Sequence, residues 1–99
     1  MEQITIVITE TAYADLEDIE SYISLDSPTI ARRFISKIFD KITQLQIFPI
    51  SGKIVREFND LSIRELLLDR YRIVYKVDSE TQITVLRVIH GARLLSSEF

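Results

Sequence analysis

The stretch YRIVYKVDSETQITVLRVIH, residues 71–90, decides the fold because two runs of β-branched and aromatic residues flank a short polar segment. Residues 71–77 and 83–90 are each long enough to form a strand. The polar segment between them, residues 78–82, is short enough for a hairpin turn. The pattern therefore predicts two adjacent antiparallel strands, with Val77 paired to Ile83.

In this register, alternate side chains fall on opposite faces of the hairpin. The more apolar face, which is expected to pack against helices, holds Tyr71, Ile73, Tyr75, Val77, Ile83, Val85 and Ile89, with Arg87 as its charged exception. The other face holds Arg72, Val74, Lys76, Thr84, Leu86, Val88 and His90. Such a mixed face, left open by the helices, predicts a surface for a partner. A slip of one residue would exchange the two faces.

The upstream sequence predicts two more strands and two helices. Residues 62–68 are a third extended run, joined to residue 71 by Asp69-Arg70, and residues 3–9 are a fourth. Thr9 offers an N-cap to an amphipathic helix, and Ser27-Pro28 begins a second helix with a broad apolar stripe. We therefore predict one domain over residues 1–99, an α+β fold of order β-α-α-β-β-β. In it, a helical hairpin packs on a mainly antiparallel sheet.

Composition argues against several classes of site. The chain has no cysteine, one histidine and two glycines, so we expect no metal centre, phosphate loop or dinucleotide-binding turn, and no cofactor. The sequence begins without a signal-peptide pattern, and no apolar stretch approaches the roughly 20 residues that span a bilayer. These features predict a cytoplasmic protein without a membrane partner.

Charge is distributed unevenly along the chain. The net charge is −3, yet residues 1–31 carry seven acids and no lysine or arginine, whereas residues 32–99 carry eight acids and twelve bases. This asymmetry predicts an acidic helix surface and a basic working face. The carboxylates Asp15, Glu17 and Asp18 are interpreted as solvent-exposed groups of the first helix.

The candidate site residues are cations near the sheet: Arg64, Arg70, Arg72, Lys76, Arg87 and Arg93, together with His90. Arginine binds phosphate oxygens bidentately and histidine titrates near neutrality, so this set could hold a phosphodiester and move a proton. Each residue also has a structural interpretation: Arg72 could pair with Glu65, for example. When each residue is considered alone, a structural role is favoured over a role in phosphate binding or proton transfer.

Three segments of the C-terminal half resemble the RelE/ParE toxin superfamily of type II toxin–antitoxin systems. They are IREL at 63–66, YRIVYKV at 71–77 and VLRVIHGAR at 85–93, and the FPISG turn at 48–52 is similar too. The resemblance implies a growth-inhibiting toxin that a co-expressed antitoxin neutralises. ParE-like members inhibit DNA gyrase, whereas RelE-like members cleave mRNA on the ribosome.

The resemblance also implies residue roles. Arg72 matches the strand arginine that ribonuclease members use at the scissile phosphate, His90 matches a position where some members carry a catalytic histidine, and Arg93 falls near their C-terminal basic residues. These three residues are the catalytic candidates if the protein is a ribonuclease. The candidates for target binding are the same three with Arg64 and Lys76.

Other features favour the ParE-like alternative. The chain has Ile63 and Glu65 where active ribonucleases place lysines, it lacks their C-terminal tyrosine, and its net charge of −3 contrasts with their basic character. We therefore expect a gyrase-directed toxin. A RelE-like ribonuclease acting on ribosome-bound mRNA and an inactive interaction module of the same fold remain as alternatives, and a cognate antitoxin is the expected partner of all three.

Overall fold

The computed structural model describes residues 3–93 and residue 95. Its elements are β1 (Thr5–Ile8), α1 (Glu10–Ser24), α2 (Pro28–Gln44), β2 (Lys53–Ile54), β3 (Ile63–Leu68), β4 (Tyr71–Ser79) and β5 (Gln82–His90). The strands form one sheet in the order β1-β5-β4-β3-β2, in which β1 runs parallel to β5 and all other neighbours are antiparallel. The predicted α+β arrangement is confirmed, with the short strand β2 as an addition that the sequence pattern did not indicate.

Both helices begin where the sequence predicts. The Thr9 hydroxyl oxygen accepts the Ala12 N–H at 3.0 Å, and the Ser27 hydroxyl oxygen accepts the Ile30 N–H at 3.2 Å. Their apolar stripes pack on one face of the sheet and form the core with it. The buried core cluster consists of Ala12, Leu16, Ile19, Phe34, Ile38, Ile42, Leu45, Ile73, Tyr75, Ile83, Val85 and Val88. Within the described residues, no helix is long and apolar enough to cross a membrane.

The register of the β4–β5 hairpin is the predicted one only near its turn. Val77 pairs with Ile83, as predicted, but the register shifts by one residue between Val74 and Tyr75. Beyond this shift, the two faces exchange along β5. Strict alternation therefore fails at this bulge, and the register shifts again between Val77 and Ser79, next to the turn.

Three predicted placements on β5 were wrong because of this bulge. Val88, predicted on the open face, lies in the core. Ile89, predicted against the helices, pairs with Arg72 on the opposite face, and His90 pairs with Tyr71 instead of sharing a face with Arg72. The prediction that this face is open was also wrong at this end of the sheet, where Arg72, Val74 and Ile89 are at most 5% exposed.

Helix α1 and its N-cap residue Thr9 supply hydrogen-bond partners for the backbone of the bulge. A bulge interrupts the ladder and leaves backbone groups unpaired. Here the Thr9 hydroxyl donates to the Leu86 carbonyl at 3.1 Å, and the Val88 N–H donates to Asp15 Oδ2 at 2.9 Å. Asp15 also accepts from Arg87 Nε at 2.8 Å and Arg87 Nη2 at 3.0 Å. The interpretation of Asp15 as a solvent-exposed acid was therefore wrong: its side chain is only 12% exposed and fixes α1 to β5.

Candidate functional site

A groove of about 530 Å³ lies where β3 ends, β4 begins and β5 ends. Its basic lining residues are Lys53, Arg56, Arg70, Arg72 and His90. Apolar side chains, including Ile54 and Leu67, lie between them. The groove contains three of the predicted site residues, Arg70, Arg72 and His90, so it is the candidate functional site.

Arg72 is the most constrained residue of this site. Its Nε donates to Glu65 Oε2 at 2.6 Å, while Nη1 and Nη2 donate to the two oxygens of Glu57 at 2.7 and 2.8 Å. Nη1 also donates to the Arg93 carbonyl at 3.2 Å. Arg72, Glu57 and Glu65, which we call the Arg72 cluster, have side chains that are only 6%, 12% and 7% exposed. The structural interpretation of Arg72 as a partner of Glu65 is confirmed, and a second carboxylate joins the pair.

The Arg72 cluster is charged and locally acidic. The hydrogen bonds from Arg72 lower the pKa of Glu57 to about 2, against an opposing effect of burial. The same contacts, first with Glu57 and then with Glu65, raise the pKa of Arg72. Two carboxylates thus face one guanidinium, and Lys53 Nζ, at 3.8 Å from Glu65 Oε1, is largely exposed to solvent. In this conformation all three nitrogen atoms of the Arg72 guanidinium are engaged within the chain.

His90 and Arg93 lie next to the Arg72 cluster, at the end of β5. His90 is exposed, its Nδ1 accepts the Ala92 N–H at 3.2 Å, and its ring packs edge-on against Tyr71 with centroids 5.7 Å apart. Arg93 is also exposed, and its backbone carbonyl reaches Arg72. The catalytic candidates are therefore neighbours, although only His90 and Arg93 present exposed side chains.

Arg64 lies on the helix side of the sheet, away from Arg72. It pairs across the sheet with the core residue Tyr75, and its Nη1 donates to the Gly52 carbonyl at 3.0 Å. The Tyr75 hydroxyl accepts the Gly52 N–H at 2.9 Å, so these contacts tie the turn before β2 to the sheet. Arg64 is thus engaged in a structural role at this turn.

Lys76 is exposed on β4, four residues from Arg72 or about 13 Å along the strand. It lies near Asp60, whose pKa is lowered mainly by hydrogen bonds from Ser62 and less by the charge of Lys76. The five candidates for target binding therefore do not form one cluster. Arg72 and His90 line the groove and the Arg93 carbonyl contacts Arg72, whereas Arg64 and Lys76 lie elsewhere.

Sequence reasoning missed three residues of this site: Lys53, Arg56 and Glu57. They lie in β2 and in the following loop, where two paired residues give no periodic pattern to interpret. The usable signal in the sequence was the closeness of the charged residues Lys53, Arg56 and Glu57 along the chain. It does not indicate that Glu57 would contact Arg72, fifteen positions later. Among residues 3–93 and 95, no group of three or more histidine, aspartate or glutamate side chains is placed to hold a metal ion.

The sequence and the fold both match known toxins. Residues 6–95 match the family model described as the ParE toxin of the type II toxin–antitoxin system parDE. The fold is similar to a chain of the chromosomal ParDE system from P. aeruginosa, with a TM-score of 0.72, 24% identity, and coverage of 89% of this chain and 96% of that one. It is also similar to a chain of the RelBE2 toxin–antitoxin complex from Mycobacterium tuberculosis, with a TM-score of 0.59, 27% identity, and coverage of 89% and 98%. None of the curated proteins matches the chain in sequence.

Proposed function

Because the chain belongs to the ParE toxin family of type II toxin–antitoxin systems, we propose that it inhibits growth by binding DNA gyrase and that a cognate antitoxin neutralises it. The resemblance to the RelE/ParE superfamily is confirmed by the family match. The proposed activity is inhibition by binding, without hydrolysis, and its place is the cytoplasm.

The contacts of Arg72 are the observation that favours inhibition by binding over hydrolysis. RNA cleavage requires a cation that stabilises the charge developing on the phosphate. By resemblance Arg72 is that cation, but here Glu57 and Glu65 already engage its guanidinium at 2.6–2.8 Å. A phosphate brought to the same position would also be repelled by two carboxylates. The Arg72 cluster therefore favours binding over phosphodiester chemistry.

The proposed antitoxin has apolar surface to cover. Six large apolar side chains that are more than half exposed lie at the two ends of α2. They are Leu25 and Ile30 with Tyr22 at the α1–α2 turn, and Ile47, Phe48 and Ile50 after α2. An antitoxin segment that folds on binding would remove such surface from water. We expect co-expressed antitoxin to raise the yield of soluble protein for this reason.

Two assays run side by side test the proposal. Purified protein should block supercoiling by gyrase, with loss of the effect on addition of antitoxin, and should leave ribosome-bound mRNA intact. Unchanged supercoiling at saturating protein would contradict it. Codon-phased cuts in the mRNA that disappear in the Arg72→Ala variant would instead support the RelE-like ribonuclease with Arg72, His90 and Arg93 at its site. Harmless overexpression of folded protein would support an inactive interaction module.

A further inference from the structure

Strand β1 lies at an edge of the sheet, so one side of its backbone faces no other strand. Its inner side runs parallel to β5, and there the Thr5 N–H donates at 2.8 Å to the carbonyl just before β5. Because the backbone groups of successive strand residues point to opposite sides, those of Ile4, Ile6 and Ile8 point away from β5. In the part of the chain that the structure describes, the one hydrogen bond at these outward groups comes from Gln46 Nε2 to the Ile4 carbonyl, at 3.2 Å. The edge of β1 therefore offers donors and acceptors to another strand.

The two edges of the sheet differ in how they are protected against such pairing. Natural proteins protect an exposed edge with a very short strand, a charged side chain, a proline or a bulge. At the far edge, β2 has two residues, and one of them is the exposed Lys53. β1 has four residues, and the sequence QITIVIT around it, residues 3–9, contains no charge and no proline. β1 is therefore the edge that is open to a further strand.

Residues 4–8, ITIVI, are chemically symmetric about Ile6. A two-fold interface uses the same patch twice, so that patch must be complementary to itself. We propose that two copies of this chain associate through β1, as antiparallel strands about a two-fold axis at Ile6. In this register the two Ile6 residues exchange a pair of N–H···O bonds, and each Ile4–Ile8 pair exchanges another. The dimer is a property of the chain alone and does not depend on the proposed target.

The side chains of β1 fit this pairing on both faces of the sheet. Ile4, Ile6 and Ile8 pack against the core and remain partly exposed at the edge, so a second β1 removes apolar surface from water. On the face opposite to the helices, the exposed Thr5 of one copy lies across from the exposed Val7 of the other, as a pair of β-branched residues. No side chain in the paired stretch carries a charge that would face its own copy.

Salt dependence distinguishes this dimer from association by opposite charges. Acids lie just outside the paired stretch, at Glu2 and Glu10, and residues 1–31 as a whole carry seven acids and no lysine or arginine. Two copies joined at β1 bring these acidic segments together, and salt screens their repulsion. The association should therefore tighten as sodium chloride is added. Docking of the basic groove on the acidic helix of a second copy would weaken instead.

Sedimentation equilibrium of the full chain without antitoxin tests the proposal. The mean mass should rise with concentration from that of one chain towards that of two. Ile6→Pro removes the outward N–H of Ile6 and no hydrogen bond to β5, and it should raise the dissociation constant of the dimer by roughly tenfold or more. Ile54→Pro makes the same change at the far edge and should leave that constant unchanged. The Ile54 N–H points outward there, because the next one, of Val55, donates to the Ile63 carbonyl at 3.2 Å.

Amide hydrogen exchange on the unmodified chain keeps the test independent of how the proline variants fold. The Ile6 and Ile8 amides should exchange more slowly at concentrations where the dimer forms than on dilution. The Thr5 amide, which is already hydrogen-bonded, should change much less. A chain that stays monomeric up to its highest soluble concentration would overturn the proposal, as would a dimer that salt weakens or that both proline variants weaken equally. If the chain is monomeric and Ile6→Pro weakens binding of the antitoxin instead, the edge pairs with an antitoxin segment and the second copy is the wrong partner.

Discussion

At the scale of single residues, Glu57 links stability to pH. Its pKa is about 2 in the folded chain and 4.5 in an unperturbed glutamate, so the folded state favours the ionised form. The resulting stabilisation is fully present above pH 4.5 and is lost as the pH falls from there towards 2. Because the carboxylate has some access to solvent, we expect about 1–2 kcal/mol and not the full value of the shift.

This prediction is tested with Glu57→Gln. The variant should be less stable than the wild type at pH 7, and the gap in unfolding free energy should narrow as the pH falls towards 3. Urea denaturation at several pH values measures the gap, with Glu80→Gln as the control that should follow the wild type throughout. A gap that stays constant over this range would contradict the assignment of the lowered pKa to Glu57.

A second prediction at this scale concerns the hydrogen bond of Tyr75. Its hydroxyl is the partner of the buried Gly52 N–H at 2.9 Å, and burial raises its pKa, so the neutral phenol is the stable form. The Tyr75→Phe variant would leave that N–H without a partner and should cost about 1–3 kcal/mol of unfolding free energy. Thermal or urea unfolding measures the loss, and Tyr13→Phe, at an exposed position, should show almost none.

At the scale of elements, the contact between α1 and the β5 bulge is the one most open to test. Asp15→Ala removes the acceptor for the Val88 N–H and leaves Arg87 without its carboxylate. Both groups are at least half-buried, so we expect a loss of about 2–4 kcal/mol. Amide exchange at Val88 should also become faster. Asp18→Ala, on the exposed side of the same helix, is the matched control; equal losses in the two variants would show that Asp15 is an ordinary surface acid.

The elements also mark what the sequence could predict. Helices and long strands were predictable because their periodicity is local. The Arg72–Glu65 pair followed from alternation, which places the two residues on the same face of neighbouring strands. The bulge was not predicted, although alternation along residues 83–90 breaks at Leu86 and at Arg87, the charged exception on the apolar face, where the register shifts. Glu57 was not predictable either, because a loop residue acquires its partner from tertiary packing alone. The sequence therefore indicated the site residues Arg72 on β4 and His90 on β5, but not Lys53 on β2 or the loop residues Arg56 and Glu57.

At the scale of the whole molecule, the predicted charge asymmetry becomes a difference between two surfaces. Exposed acids such as Glu17, Asp18 and Glu20 lie on α1, whereas the groove on the sheet carries exposed Lys53, Arg56 and Arg70. Asp15 and Arg72 do not contribute to this difference between the surfaces, because each is buried in an ion pair. The exposed cations of the groove, and not the Arg72 cluster, are therefore the groups that a negatively charged target surface would meet first.

This arrangement predicts which charge reversals weaken the proposed inhibition of gyrase. The double variant Arg56→Glu/Arg70→Glu should raise the concentration needed to block supercoiling by roughly tenfold or more, because two exposed cations of the groove become anions. Arg32→Glu/Arg33→Glu makes the same change of net charge at exposed positions on α2 and should leave the inhibitory concentration close to that of the wild type. Circular dichroism would establish that both variants fold. Equal inhibition by the two double variants would show that the target does not bind at the groove, and the search for the contact surface would move to the apolar ends of α2.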